Sequence, residues 1–188
     1  NSIALNKEWY ALFRMTGISV GCSYNALDGE MRYGDKADKV SNKIFLNIME
    51  AKENGVDIGN LEVLTTHNLP HIKEIYEFWK DTGLDNGFLP IFNEGSAKEL
   101  NQGLLKDLDE YIRITTDYFK YWIKDPNAQR ERFAEAYIQK IFNGAEITCD
   151  QGNPKCIETQ VGIMSNGEIF PCDRPLYDRY DIGNIAKW

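Results

Sequence analysis

The chain has 188 residues, 43% of them hydrophobic and 12% aromatic, which is enough for a sizeable core and excludes a disordered chain. A net charge of −8 with no basic stripe excludes general nucleic-acid binding, and no apolar run approaches the ~18 residues of a membrane-spanning helix. No signal peptide opens the sequence, and four cysteines are too few for a disulfide scaffold, so a reducing, cytoplasmic setting is expected, with no membrane partner.

In chain order, "NKEWYALFRMTG" reads as a short helix ended by Gly17, and "ISVGCSYN" as an apolar strand. "DKVSNKIFLNIMEAKENG" carries Val40, Ile44, Phe45 and Ile48 at helical spacing, with Asp38 as a cap and Gly55 as the stop. "NLEVLT" is a second strand. "NLPHIKEIYEFWKDTG" places Ile72, Ile75, Tyr76 and Trp79 on one helical face, with Pro70 in the first turn. "GFLPIF" is a third strand. Alternation of this kind predicts a parallel sheet with helices on its outer face. Three strands are too few to close a barrel, so an open apolar edge should be shielded or paired. From about Ala97 the pattern becomes helical, with one long helix to Lys124 and Leu104, Leu108, Tyr111, Thr115, Tyr118 and Trp122 on one side. Asp125-Pro126 breaks it, and a second helix carries Phe133, Tyr137, Ile138 and Ile141 as far as Gly144.

The C-terminal stretch "CIETQVGIMSNGEIFPCDRP" reads as a β-hairpin turning at Ser165-Asn166-Gly167, whose arms bring Cys156 and Cys172 together. Cys149 lies seven positions before Cys156. The pattern Cys149-x6-Cys156-x15-Cys172 lacks the two close pairs of a zinc ribbon. Convergent thiols of this kind suit a metal, a cluster or disulfides. Cys22 stands alone in an apolar strand and reads as a small core residue. His67 and His71 flank a strand–helix junction with Pro70 between them, which suits surface or capping roles rather than zinc. Asp107, Asp109, Glu110 and Asp117 suit the solvated face of the long helix.

The interval Gly167-x4-Cys172 within "NGEIFPCDR…YDIGNI" resembles the hairpin that opens a SPASM domain, the auxiliary-cluster extension of radical SAM enzymes, and most closely its sulfatase-maturating branch. "VGCSYNALDGEMR" resembles the fourth strand of the radical SAM partial barrel and its Ser-Leu-Asp-Gly loop, with Tyr24-Asn25-Ala26 inserted. "VLTTHNLPHIKEIYEFWKDTG" resembles the fifth strand and helix, and "NGFLPIF" the sixth strand. The resemblance implies an α/β fold. Residues 1–95 would be the C-terminal half of a partial (β/α) barrel with parallel strands, 96–145 a helical bridge, and 146–188 an incomplete SPASM region with its short β-hairpin. The three-cysteine motif for the SAM-cleaving cluster is absent, so the expectation is a piece of a longer enzyme, inactive alone.

The function so implied is modification of a peptide or protein by 5′-deoxyadenosyl-radical hydrogen abstraction. The implied cofactors are S-adenosylmethionine and an auxiliary 4Fe-4S cluster, with a flavodoxin- or ferredoxin-like electron donor. The resemblance assigns Cys149, Cys156 and Cys172 to the cluster, Ser23 and Arg32 to S-adenosylmethionine, and Asp173 to general-base duty. Two other readings stay open: a non-catalytic binding module stabilised by zinc or iron, and an apo fragment folded on its apolar core.

Overall fold

The computed structural model describes residues 2–27, 37–91, 103–144, 161–164, 166–170 and 183–185. The chain divides into two compact units, Asn1–Glu135 and Ala136–Trp188.

In the first unit, helix α1 (Lys7–Thr16) starts where the Asn6 side chain accepts hydrogen bonds from the backbone N–H groups of Glu8 and Trp9. Gly17, in the left-handed conformation, ends it. Strand β1 (Val20–Cys22), helix α2 (Ala37–Glu53), strand β2 (Ile58–Leu64), helix α3 (Ile72–Thr82) and strand β3 (Asn86–Pro90) complete the alternation. Helix α2 begins one residue before Asp38, its expected cap. The strands are parallel and adjacent in the order β1-β2-β3, with Cys22 opposite Asn60 and Glu62 opposite Phe88.

Side-chain alternation along β2 is strict: Ile58, Asn60, Glu62 and Leu64 are buried, while Gly59, Leu61 and Val63 are half-buried. The buried row faces α2 and α3. Ile44, Ile48 and Ile75 are fully buried, and Trp79 nearly so. Each such side chain contributes about 1.5–3 kcal/mol. Tyr24 joins this layer, its ring 5.6 Å from Phe45 and edge-on to Trp79 at 5.7 Å. On the other face, the Phe133 ring lies 3.0 Å from where a Cβ on Gly87 would stand.

Helix α4 runs from Leu108 to Trp122, a later start than the sequence pattern suggests. Gly103 has a φ of 67°, and Asp107 caps the helix by accepting the backbone N–H of Glu110. Tyr118 and Trp122 are buried as expected, whereas Leu108 is 69% exposed. Helix α5 (Arg132–Asn143) follows. Just ahead of it, the chain covers the outer edge of β3: Asn86 N–H donates to the Arg130 carbonyl, and Phe88 N–H to the Glu131 carboxylate at 3.1 Å. That edge is therefore closed to further strand pairing.

In the second unit, β4 (Gly162–Ile163) pairs antiparallel with β5 (Glu168–Phe170), and β5 with β6 (Gly183–Asn184). The expected hairpin is thus present. Gly167 turns it with a φ of 84°, and any side chain there would press on Asn184 and Ile185.

Candidate functional site

Open parallel sheets bind ligands beyond the carboxyl ends of their strands. In this chain that region begins at Ser23 and Asn25 after β1, Thr65 and Asn68 after β2, and Ile91 after β3. Thr65 and Asn68 build a closed turn: Asn68 Oδ1 accepts the Thr65 N–H at 2.7 Å, and Asn68 Nδ2 donates to the Val63 carbonyl.

Beyond Cys22 the β1–β2 ladder ends, and side chains of β2 replace it. Asn60 Oδ1 accepts the Tyr24 N–H at 2.8 Å, while Asn60 Nδ2 donates to the Tyr24 carbonyl at 3.0 Å and to Asn86 Oδ1 at 2.8 Å. One carboxamide thus pairs with both backbone groups of Tyr24, as a neighbouring strand would. Two residues on, Glu62 accepts the Ala26 N–H at 3.0 Å and the Trp79 indole N–H at 2.7 Å. Asn60 and Glu62 are both completely buried. Within the segment so held, Ser23 is half-buried, and Asn25 is buried with its Oδ1 lacking a hydrogen-bond partner among the described residues. A buried polar atom left unpaired costs roughly 1–3 kcal/mol, so this oxygen favours a donor from outside the described residues.

Of the residues singled out from sequence, Ser23 stands at this site. Arg32, Cys149, Cys156, Cys172 and Asp173 lie outside the described residues. Cys22 is 3% exposed, and burial pushes its thiol up to about 11, consistent with a core role. His67 and His71 are exposed, His71 within 3.0 Å of Glu74. Asp107, Asp109, Glu110 and Asp117 are exposed on or beside α4. Among the described residues, no group of three or more His, Cys, Asp or Glu side chains could hold a metal ion.

Sequence reasoning placed Asn25 with Ser23 at the site-forming end of a strand but passed over Asn60, Glu62 and Glu131. In "NLEVL" the polar Asn60 and Glu62 alternate with Leu61 and Val63, and the period alone does not say which face is buried. The available signal was that helices cover this face of the sheet, so a polar residue there must find partners inside. Glu131 is 4% exposed and accepts from the N–H groups of Phe88, Phe133 and Ala134. Burial pushes its carboxyl above the usual carboxylate range, against three donors that favour the charged form.

A polar cavity of about 230 Å3 opens at the other end of the sheet, lined by Ser19, Asp57, Asp85, Arg130 and Arg132. Its carboxylates have partners within the chain. Ser19 donates to Asp57, and Gln129 and Arg130 engage Asp85. The carboxyl end, where the buried Asn25 Oδ1 has no partner among the described residues, is the better candidate.

No family model matches the chain. A cysteine-type anaerobic sulfatase-maturating enzyme of Clostridium novyi is 26% identical over 198 residues, covering all of this chain and 51% of the relative. The chain is homologous to anaerobic sulfatase-maturating enzymes over about half their length. A serine-type enzyme of the same name from Bacteroides thetaiotaomicron is 24% identical, covering 98% of the chain and 49% of the relative. A solved structure of native anSMEcpe with AdoMet and the Cp18Cys peptide bound shares the fold, with a TM-score of 0.73. It is 21% identical, and the match covers the whole of this chain and 54% of the solved one. Both the parallel three-stranded sheet and the small antiparallel sheet fall within that match. No helix among the described residues is long and apolar enough to cross a membrane.

Proposed function

We propose that this chain is the middle-to-late segment of a radical SAM enzyme that modifies a peptide or protein. Residues 1–95 would form the second half of the partial barrel, 96–145 the helical bridge, and 146–188 the start of the SPASM region. The observation that carries the reading is the β1-β2-β3 sheet, with a polar, internally tied carboxyl end, on a fold shared with an AdoMet- and peptide-bound maturating enzyme. The buried Asn25 Oδ1, which has no partner among the described residues, fits a hydroxyl or amino donor of AdoMet, which such an end would receive. Ser23 would hydrogen-bond AdoMet, and Arg32 would meet its carboxylate with a planar, two-pronged donor set. When bound, AdoMet supplies the radical that takes a hydrogen atom from the substrate.

Cys149, Cys156 and Cys172 offer three soft thiolates, a donor set suited to an iron–sulfur cluster in a reducing, cytoplasmic setting. Asp173 follows Cys172 directly and would take a proton from the substrate side chain. Thiolate charge and exclusion of water would raise its pKa toward working pH. The substrate would be a peptide or protein, and a flavodoxin- or ferredoxin-like protein would donate electrons.

The test is anaerobic reconstitution of this chain and its Cys→Ala variants with iron and sulfide. Iron and sulfide bound by the wild type, and lost in each variant, are expected. Stoichiometric zinc, or no metal, would overturn the cluster assignment. In a longer protein containing this chain, Asp173→Asn should abolish peptide modification while 5′-deoxyadenosine still forms. Unchanged modification would remove Asp173 from the mechanism.

A further inference from the structure

We infer that Glu62, working beside Asn60, is a positioning residue that holds the Tyr24–Ala26 backbone in place, so that Ser23 and Asn25 meet the ligand at the carboxyl end of β1. This rests on the functional reading above and adds to it a residue that acts through the Ala26 backbone.

Regular pairing between β1 and β2 stops at Cys22 opposite Asn60. The next four residues would be free to leave the sheet, yet their backbone is fastened at two points by side chains projecting from β2. Asn60 takes both polar groups of Tyr24, and Glu62 takes the Ala26 N–H. These anchors bracket Asn25 and lie immediately after Ser23. They also fall within Tyr24-Asn25-Ala26, the stretch that the family resemblance reads as insertion-like. The Glu62 carboxylate is itself fixed from below by the Trp79 indole N–H, so the restraint reaches from helix α3 through β2 to the loop.

The chemistry of Glu62 suits this role better than a packing role. A carboxylate with no exposure is costly unless donors surround it, and an apolar residue of equal volume would serve packing at least as well. What the apolar residue could not do is accept the Ala26 and Trp79 N–H groups together and so tie the loop to helix α3. The carboxylate therefore links the loop to Trp79, a link that packing alone does not supply.

Amide hydrogen exchange on this chain reads the restraint directly. Glu62→Met keeps the volume and removes both acceptor oxygens. Ala26 exchange should rise about tenfold or more, the scale of one lost buried hydrogen bond, while amides in the β2–β3 ladder keep their protection. Glu62→Gln retains one acceptor and should fall between wild type and Glu62→Met. Asp125→Asn, which weakens the distant α3–α4 tie, should lower the melting temperature without exposing Ala26. The second measurement is AdoMet binding by equilibrium dialysis in the longer protein, where Glu62→Met should raise the Kd several-fold and Asp125→Asn should not. Unchanged Ala26 exchange in Glu62→Met overturns the restraint. Faster exchange with unchanged AdoMet affinity overturns the positioning role. Absence of AdoMet binding in the wild-type longer protein overturns the functional reading, and this inference with it, even if the exchange result holds.

Discussion

Cys22 lies at the end of β1 with its Sγ 3.1 Å from the Gly59 carbonyl oxygen, almost entirely shielded from water. Burial raises its pKa to about 11, so at neutral pH it carries roughly a hundredfold or more less thiolate than an ordinary cysteine. Alkylation of the native chain with iodoacetamide should spare Cys22, and denaturant should release it. Rapid native labelling, read by peptide mass spectrometry, would contradict the burial. The stability it contributes is fully present below the unfolded thiol pKa and is lost as pH rises toward about 11. Asp125 behaves in the opposite sense. The Lys80 ammonium, the Asn127 N–H and the Tyr76 hydroxyl hold its carboxyl below the usual carboxylate range. Its contribution is present above the unfolded carboxylate pKa and disappears as pH falls through the folded one. Asp125→Asn should lower the melting temperature by roughly 2–6 °C at neutral pH, and by less in acid, where the wild type has lost the same interaction. Cys22 was legible in the sequence because an apolar strand surrounds it. Glu62 was not, because its partners arrive from Ala26 and Trp79, on two other elements.

At the scale of elements, β3 and α5 meet through a glycine. Gly87 has Phe133 Cδ2 and Cε2 each 3.0 Å from its ideal Cβ position, and Leu61 Cδ2 at 3.2 Å. The absent side chain is what lets the Phe133 ring lie on the sheet. Gly87→Ala should therefore destabilise the fold by about 1–3 kcal/mol through overpacking. Phe133→Leu in the same chain should recover part of that loss, because the two residues share one contact. Urea unfolding of both single variants and the double variant measures the coupling, and strict additivity would refute the contact. Helical periodicity located α3 closely: Ile72, Ile75, Tyr76 and Trp79 are all buried. The same signal placed the start of α4 too early. Its apolar spacing extends back past Leu108, but Gly103 and the Asp107 cap stop the helix, and Leu108 is left in solvent. Period alone does not weigh a cap against a stripe, so the boundary was hidden while the buried face was visible.

On the scale of the whole chain, the two borders of the parallel sheet are treated differently. The β3 border is closed by the Arg130–Glu131 backbone and the Glu131 carboxylate. The β1 border has no strand neighbour among the described residues. Near it, α1 and the turn after it present Trp9, Leu12, Met15 and Ile18 with between 44% and 85% of their surface exposed. Strand order and parallel direction could be read from the alternation of elements. This asymmetry of borders could not, because Glu131 lies more than forty residues beyond the strand it caps. An unpaired strand edge beside an apolar helix face favours association. Expressed alone, the chain should self-associate as its concentration rises through the micromolar range, as read by sedimentation velocity. Leu12→Glu combined with Met15→Lys places charge on that face without touching the buried Tyr10, which anchors α1 by donating its hydroxyl to the Asn47 carbonyl. The double variant should keep the wild-type melting temperature and shift the distribution toward monomer. Wild-type chain that stays monomeric throughout the range, or a double variant that associates equally, would show that this border does not drive association.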